Sequence, residues 1–382
     1  MKTLSLTILG LSALALAPAA QAVAPSYTIV DLGVIGSGEF SQAFGASSNG
    51  SMVVGRSSDN HDQAFSWTSQ GGMVALPNLA GRNFASATAV NNAGIAVGVS
   101  STTWFGTSPL PVMWNKNGTV TELAMPQGFS SGAAYGINAS GMIAGTVSSG
   151  TADRAALFSA NGSSLITATT ANGSYMTTAF GINDAGLVVG IGSDPSDLAL
   201  NVGLVYDSVT GVMNSVGALS GNNSAINFGL SNSGYVVGSS AFYQGDGRPF
   251  VWSAAHGMVA IDLPEATSLG SASGVNDQGW VVGNAGGLYS VPFLYADGVT
   301  YSLQNLLSAG SGWDFSTNTS ASAMSIGNDG SIVGTVVHNG QTHAYQMTLA
   351  ASVPEPESWA LMLGGLGLLG GLARRRRQAM SA

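Results

Sequence analysis

The chain repeats one short pattern seven times, and no other feature of its sequence restricts the fold as strongly. Each copy holds a short apolar run, a turn that contains Asn or Asp with glycine, and a second apolar run that closes on glycine, as in "AFGINDAGLVVG". The closing glycines are Gly55, Gly98, Gly145, Gly190, Gly238, Gly283 and Gly334. They follow one another at steps of 43, 47, 45, 48, 45 and 51 residues. A period of this size indicates a repeat architecture rather than several unrelated domains.

Each copy predicts a set of four short strands. Asn, Asp and Gly tolerate the left-handed backbone of a tight hairpin, and the β-branched run after the turn favours a buried strand. A third strand, which usually ends on an aromatic residue, is predicted at 64–67, 111–114, 155–158, 203–206, 249–252, 292–295 and 343–346. A fourth, after a further glycine turn, is predicted at 72–76, 118–123, 162–166, 211–216, 257–263 and 298–303. The recurring aromatic residues are expected in the core; they are Trp67, Trp114, Phe158, Tyr206, Trp252 and Tyr295.

The seventh copy lacks a fourth strand, and the start of the chain offers one. The segment "YTIVDLG" at 27–33 resembles "GMVAIDLP", the fourth strand of the fifth copy. Seven units of four strands, one of them donated across the termini, predict an all-β fold: a seven-bladed β-propeller whose N-terminal strand closes the last blade. Closure also removes the unpaired edges that invite aggregation. An open β-solenoid with capped ends is the alternative.

Composition indicates a turn-rich protein with few solvent-facing helices and argues against a nucleic-acid partner. Glycine accounts for 54 of 382 residues and charged residues for only 8%, against about 25% in an average soluble domain. Without Lys2, Arg374–Arg377, Glu355 and Glu357, the chain holds 5 basic and 17 acidic residues, so 5 − 17 gives a net charge of −12. Phosphate binding needs clustered Lys and Arg. With no cysteine, the chain has neither a disulfide framework nor a thiol nucleophile.

The N-terminus predicts a secretory signal over residues 1–22, "MKTLSLTILGLSALALAPAAQA". A lysine precedes an apolar run, and Ala20 and Ala22 provide the small-x-small pattern of a signal peptidase site. A buried N-terminal helix is the alternative. The repeat domain is therefore expected to occupy residues 23–350.

The C-terminus divides into three short parts. A linker at 351–358 contains Pro354, Glu355 and Pro356; an uncharged run follows at 359–373; and a basic tail at 374–382 begins with Arg374, Arg375, Arg376 and Arg377. The uncharged run predicts a short transmembrane helix with the arginines on the cytoplasmic side. This order of parts resembles the PEP-CTERM sorting signal. The resemblance implies an exosortase-type enzyme as a partner, which cuts near Pro-Glu-Pro after export. It also implies transient anchoring in the inner membrane, then a place at the cell surface or in the extracellular matrix. A single-span anchor that is never processed is the alternative.

The repeats themselves resemble the HAF-type extracellular repeat, named for a His-Ala-Phe strand start. His343-Ala344-Tyr345 is the nearest match to that triplet, and Ala64-Phe65 keeps its last two residues. The resemblance spans roughly residues 27–349 and implies a surface or secreted bacterial protein.

No catalytic residue, cofactor or metal site is predicted. The four histidines, His61, His256, His338 and His343, form no H-E-x-x-H arrangement, and there is no G-x-S-x-G elbow. Each histidine is interpreted as a loop or strand-edge residue. The acidic loops start at Asp59, Asp194 and Asp246, and calcium binding is one interpretation of them. Solvated turns are favoured because none of the loops has the spaced D-x-D-x-D-G pattern. Asp184, Asp277 and Asp329 are assigned to the repeated hairpin turns.

Aromatic residues outside the repeat pattern are the candidate ligand contacts. Loop aromatics on a rigid scaffold are common binding elements, and sugar rings stack on them. The candidates are Trp104, Phe105, Phe242, Tyr243, Trp313 and Phe315. We therefore expect a non-catalytic module that binds an extracellular polysaccharide or glycan. The alternative is a hydrolase or lyase that acts on extracellular polysaccharide from the central channel. An enzyme should gather at least three ionisable groups at one channel mouth, whereas a binding module should show a ring of loop aromatic residues and amides without such groups.

Overall fold

The structure, a computed structural model, describes residues 24–350 except 60, 104–107, 244–246, 265–268, 287–289, 310 and 316–318. Regular structure in this part of the chain consists of 28 β-strands and one short 3-10 helix, Leu303–Leu306. The strands form five antiparallel sheets of four and one sheet of eight, which combines the first and the last repeat unit. Apart from the N-terminal strand, the strands of each unit that follow one another along the chain are hydrogen-bonded neighbours. The predicted all-β fold of four-stranded repeats is confirmed.

The bounds of the strands follow the repeat. The first strands of the seven units are β2 (Phe40–Ala46), β6 (Phe84–Val90), β10 (Ser131–Ile137), β14 (Tyr175–Ile182), β18 (Ser224–Leu230), β22 (Gly270–Val275) and β26 (Ser322–Ile326). The second strands are β3 (Val53–Asp59), β7 (Ala96–Ser101), β11 (Ile143–Ser148), β15 (Leu187–Asp194), β19 (Val236–Ala241), β23 (Val281–Ala285) and β27 (Ile332–His338). The third strands are β4 (His61–Thr68), β8 (Leu110–Trp114), β12 (Asp153–Ser159), β16 (Asp197–Asp207), β20 (Arg248–Ser253), β24 (Val291–Ala296) and β28 (Gln341–Leu349). The fourth strands are β5 (Gly72–Ala75), β9 (Val120–Glu122), β13 (Gly162–Leu165), β17 (Val212–Ser215), β21 (Gly257–Ala260), β25 (Val299–Ser302) and, for the seventh unit, β1 (Tyr27–Asp31).

The N-terminal strand completes the last unit, as the sequence predicts. β1 runs antiparallel to β28, with Tyr27 opposite Leu349 and Asp31 opposite Tyr345. The hydroxyl of Tyr27 donates a hydrogen bond to the carbonyl oxygen of Gly330 at 3.0 Å. The seventh unit also touches the first, because a parallel bridge pairs Phe40 with Thr342.

The core lies between the units rather than inside any one of them. Among the described residues there are seven clusters of buried apolar side chains, and each joins two neighbouring units. Val54 of the first unit packs in one cluster with Trp114 of the second, and Val333 of the seventh unit packs in another with Phe65 of the first. Seven interfaces among seven units give a cyclic, propeller-like arrangement. Among the recurring third-strand aromatic residues, Trp67, Trp114 and Phe158 are buried in these clusters, which confirms their predicted place in the core. The other three are half-buried and pack against the clusters: Tyr206, Trp252 and Tyr295.

Candidate functional site

The first strands of all seven units surround one cavity. It has a volume of about 260 Å³, and its lining comes from these strands and from the turns that follow them. Because every unit contributes the same part of its repeat, the chemistry of the cavity depends on what each copy places at one position of its first strand.

That position is a β-bulge in every unit. In the fourth unit, Ala179 pairs with Gly190 and Gly181 pairs with Val189, so Phe180 between them has no partner across the ladder. The same register shift occurs in the other units, and the extra residues are Phe44, Thr88, Tyr135, Phe180, Phe228, Ser273 and Met324. All seven line the cavity. Bulges bend a strand and re-aim a side chain, and here they direct one side chain from each unit to the centre.

The closing glycine of each repeat makes this bulge sterically feasible. A Cβ atom on Gly190 would lie 1.9 Å from the carbonyl oxygen of Thr178, and one on Gly55 would lie 1.9 Å from that of Gln42. The equivalent distances at the other five closing glycines are between 1.8 and 2.2 Å. Since no side chain fits there, the repeated glycine is needed for close approach of the first and second strands.

Three of the seven central side chains are a consecutive run of aromatic rings, and the other four are Phe44, Thr88, Ser273 and Met324. Tyr135, Phe180 and Phe228 come from three consecutive units and form an arc, with tilted ring contacts of 5.4 and 5.7 Å between centroids. Phe228 is 36% exposed. Thr88 and Ser273 occupy the positions that flank this arc in the neighbouring units on either side. We call Tyr135, Phe180 and Phe228 the aromatic arc.

The repeated turns also line the cavity and form a second ring of residues around it. Hydrogen bonds join the turn of each unit to the turn of the next through all seven junctions. They run from Asn92 Nδ2 to Ser48 Oγ (2.9 Å), Asn91 Nδ2 to Asn138 O (3.1 Å), Asn138 Nδ2 to Asn183 O (3.1 Å), Asn183 Nδ2 to Ser231 O (3.1 Å), Ser233 N to Asp277 Oδ1 (3.1 Å), Asn276 Nδ2 to Gly327 O (3.2 Å) and Asn328 N to Ser48 O (2.6 Å). The asparagines thus fix neighbouring units to one another as well as shaping their own turns.

Two aspartates in this ring do more than the sequence suggested. Asp184 accepts hydrogen bonds from Ala139 N at 2.7 Å and from Asn232 Nδ2 at 2.9 Å, one on each carboxylate oxygen. Asp277 likewise accepts from Ser233 N at 3.1 Å and from Asn328 Nδ2 at 2.6 Å. Their assignment to the hairpin alone was incomplete, because both carboxylates bridge adjacent units. Asp329 keeps the predicted local role and accepts from Ser331 N and Oγ.

Among the described residues, the cavity lining holds three ionisable groups, which reaches the number expected of an enzyme, but the two carboxylates among them are engaged in hydrogen bonds between units. The three groups are Asp184, Asp277 and Tyr135. Burial, followed by the nearby Asp153 carboxylate, raises the pKa of Tyr135 above its ordinary value. The phenol therefore stays protonated at neutral pH and offers a hydrogen-bond donor beside the aromatic faces.

The aromatic residues singled out from the sequence lie elsewhere. Trp104 and Phe105 fall outside the described residues. Phe242 and Tyr243 are exposed, at 63% and 45%, in the loop after β19, where their rings meet edge to face at 5.0 Å. Trp313 and Phe315 are buried, at 8% and 1% exposure, against the seventh unit. Burial removes these last two as surface ligand contacts, which corrects the expectation for them.

The acidic loops have local partners where the structure describes them. Asp62 pairs with Arg56 at 2.9 Å. Asp194 accepts hydrogen bonds from Ser196 N and Oγ at 2.8 and 2.6 Å. Asp246 and the side chain of Asp59 are outside the described part. The two described carboxylates serve an ion pair and a turn.

Comparison with solved structures places the chain among propeller-like repeat folds. A streptogramin B lyase structure is similar with a TM-score of 0.54 and 12% identity, covering 85% of this chain and 98% of that one. A catalytically inactive virginiamycin B lyase from Staphylococcus aureus with quinupristin gives a TM-score of 0.54, 12% identity and coverage of 85% and 100%. Oligogalacturonate lyase from Vibrio parahaemolyticus gives a TM-score of 0.52 and 10% identity, and the match covers 85% of this chain and 98% of that one. At these identities the likeness concerns the fold alone. No curated protein sequence matches the chain.

The C-terminal segment has a specific match. Residues 352–377 correspond to the PEP-CTERM protein-sorting motif. The predicted sorting signal, with Pro354, Glu355, Pro356 and Arg374–Arg377, is therefore confirmed. It indicates an exported protein that an exosortase processes. The predicted helix at 359–373 and the signal peptidase site at Ala20 and Ala22 lie outside the described residues. Within the described part, no helix is long and apolar enough to span a membrane.

Proposed function

We propose that the protein is a seven-bladed β-propeller that reaches the cell surface or the extracellular matrix and acts there as a non-catalytic binding module. Its ligand site is the central cavity, and the aromatic arc is the observation that carries the proposal. Three adjacent rings on a rigid ring of strands offer apolar faces, while the surrounding asparagine turns offer amide groups. The likeness to HAF-type repeats agrees with this location and stays a prediction.

The ligand that fits this chemistry best is a polysaccharide or glycan. Sugar rings present one apolar face for stacking and hydroxyl groups for hydrogen bonds to amides and to the Tyr135 phenol. The cavity volume of about 260 Å³ is below the roughly 300–1,000 Å³ typical of pockets that enclose a drug-sized ligand. We therefore expect the cavity to take one ring or one end of a larger glycan.

A glycan array probed with the full chain in mild detergent tests the proposal. Phe228→Ala and Phe180→Ala should each weaken binding of a retained glycan by about 30-fold, because truncation of an anchoring aromatic residue costs about 2 kcal/mol. Phe242→Ala is the matched control, since it removes the same side chain from an exposed outer loop. Wild-type affinity in both arc variants, or a loss only in Phe242→Ala, would place the ligand elsewhere. Melting curves of each variant verify that it is folded.

A hydrolase or lyase acting on extracellular polysaccharide is the second candidate, favoured by the shared fold of the lyases named above. Asp184 and Asp277 would be its acid and base. The two oxygens of each carboxylate are engaged by the turns of the preceding and the following unit, and this favours a structural role. Release of reducing ends or unsaturated products from a panel of acidic polysaccharides, lost in Asp184→Asn or Asp277→Asn, would establish the enzyme and refute a non-catalytic module.

The sorting step has its own test. Replacement of Pro354-Glu355-Pro356 by alanines should leave the surface product at a higher mass than the wild type, because the exosortase loses its recognition motif. Equal masses for the two products would count against cleavage near this motif.

A further inference from the structure

A cluster of two histidines and one aspartate lies at the seam where the two ends of the repeat domain meet. Asp31 ends β1, His338 ends β27, and His343 lies in β28, so all three belong to the seventh unit. Nδ1 of His343 is 2.8 Å from Oδ2 of Asp31, and Nδ1 of His338 is 3.2 Å from the same oxygen. The cluster is not part of the central cavity.

The longer of the two contacts matches the separation of neighbouring ligands of a bound metal ion, and the shorter one has to lengthen by about 0.5 Å for an ion to enter. Zinc binds imidazole nitrogen and carboxylate oxygen at about 2.0–2.2 Å, so two adjacent ligands of a tetrahedral ion are about 3.3 Å apart. One donor atom from each of the three residues lies within 4.8 Å of the others. Two imidazoles and one carboxylate, with water in the fourth position, form a donor set that suits zinc-type transition cations rather than calcium or magnesium.

Neighbouring groups hold the donors in place. Oδ1 of Asp31 accepts a hydrogen bond from Gly33 N at 2.8 Å, which leaves Oδ2 directed at the histidines. The indole of Trp313 stacks on the ring of His338, with centroids 3.9 Å apart and planes within 6°. Such outer partners orient metal ligands and sustain affinity. This also gives a role to Trp313, which is buried instead of meeting a ligand at the surface.

The cluster is accessible from solvent. The side chains of Asp31, His338 and His343 keep 30%, 20% and 13% exposure, so an ion and its water can enter. Nε2 of His343 is buried and has no hydrogen-bond partner in the described part of the chain.

We propose that Asp31, His338 and His343 form a binding site for a divalent, zinc-type transition cation that fastens the N-terminal strand to the last unit. The histidines lie 307 and 312 residues from Asp31 along the chain. Only the closed ring brings the three together, so the ion binds the folded chain and stabilises it by mass action.

Zinc titration of the untagged, chelator-treated full chain in mild detergent tests the site. The wild type should bind one equivalent of Zn²⁺, its melting temperature should rise with Zn²⁺ and fall again with chelator, and Co²⁺ in place of Zn²⁺ should give the visible absorption of a tetrahedral site. Loss of an outer partner lowers metal affinity by about 10–100-fold. His338→Ala and His343→Ala each remove a ligand itself, so they should weaken Zn²⁺ binding by more than that. His256→Ala is the control, because His256 lies in the turn between β20 and β21 beside Ser253.

Folding is separated from binding by a conservative variant. Asp31→Asn keeps the shape of the side chain and one oxygen to accept the hydrogen bond from Gly33 N while it removes the charge, so it should fold with the wild-type circular dichroism spectrum and still lose Zn²⁺ affinity. Absence of Zn²⁺ binding to the wild type would overturn the proposal. So would wild-type affinity in folded His338→Ala and Asp31→Asn, because the ion would then be bound elsewhere.

Discussion

Replacement of a closing glycine should destabilise the whole ring. In Gly190→Ala, the new Cβ would lie 1.9 Å from the carbonyl oxygen of Thr178 and 3.0 Å from Cα of Ala179. Both are backbone atoms of the strand that carries Phe180, so no side chain can rotate away. β14 and β15 would have to separate, and the bulge between them would lose its register.

The expected magnitude follows from the nature of this clash. Overpacking in a core typically costs about 1–3 kcal/mol when side chains and backbone can adjust. Here the strands are hydrogen-bonded on both sides of the contact, so we expect a loss at the upper end, about 3 kcal/mol of the free energy of unfolding. Urea denaturation, followed by tryptophan fluorescence, measures it.

Gly181→Ala is the matched control in the same pair of strands. A Cβ at Gly181 would meet Cγ2 of Val189 at 3.3 Å as its nearest neighbour, and that methyl group can move by a few tenths of an ångström. Glycine-to-alanine changes at compatible sites also stabilise by about 0.4–1 kcal/mol through the unfolded chain, so the net effect should be small. Equal stabilities for Gly190→Ala and Gly181→Ala would refute the steric account of the repeated glycine.

Two further predictions concern buried polar groups. Asn183→Ala removes the donor to Ser231 O and the acceptor of the hydrogen bond from Leu187 N. It should therefore lower the free energy of unfolding by about 1–3 kcal/mol. The control Asn161→Ala, in an exposed hairpin of the third unit, should change the free energy of unfolding by less than about 0.5 kcal/mol. Burial raises the pKa of Tyr345 well above the ordinary 10.0, and the Tyr345 hydroxyl donates to Ser322 O at 2.8 Å. Because the folded state holds the neutral phenol, its contribution is complete below pH 10 and is lost as the pH rises further. A pH series of urea melts should therefore show an alkaline loss of stability that is shallower in Tyr345→Phe; identical slopes for the two proteins would contradict this.

The sequence predicted those parts of the fold that depend on local chemistry. Turn residues, β-branched runs and the 43–51-residue period located the strands, and the missing fourth strand of the seventh copy located the partner of Tyr27–Asp31. The turn and strand signals lie within a few residues of the structure that they specify, whereas the pairing of Tyr27–Asp31 with the seventh unit followed from counting the strands of each copy.

The candidate site was harder to predict because pairing decides it. Phe180 follows an alanine in an apparently regular strand, and only the register against Gly190 shows that it is the bulged residue. The A-x-G triplet before the turn, present in four of the seven copies, was the available signal, but the off-pattern loop aromatics were preferred as contacts. Trp313 and Phe315 show why that preference failed for them: their loop folds back over the seventh unit and buries both rings. The Asp31–His343 contact spans 312 residues, beyond the reach of any local pattern.

A cysteine cross-link between the ends of the ring tests the central claim most directly. The chain has no cysteine, and Thr28 and Thr348 face each other across β1 and β28 with their hydroxyl oxygens 2.9 Å apart. Thr28→Cys combined with Thr348→Cys should form an intramolecular disulfide on mild oxidation, seen as a shift in non-reducing electrophoresis. The control pair of Thr28→Cys with Thr121→Cys, on β9 of the second unit, should not. Failure of the first pair to cross-link in the folded protein, or equal cross-linking in both pairs, would contradict a closed ring around one central cavity.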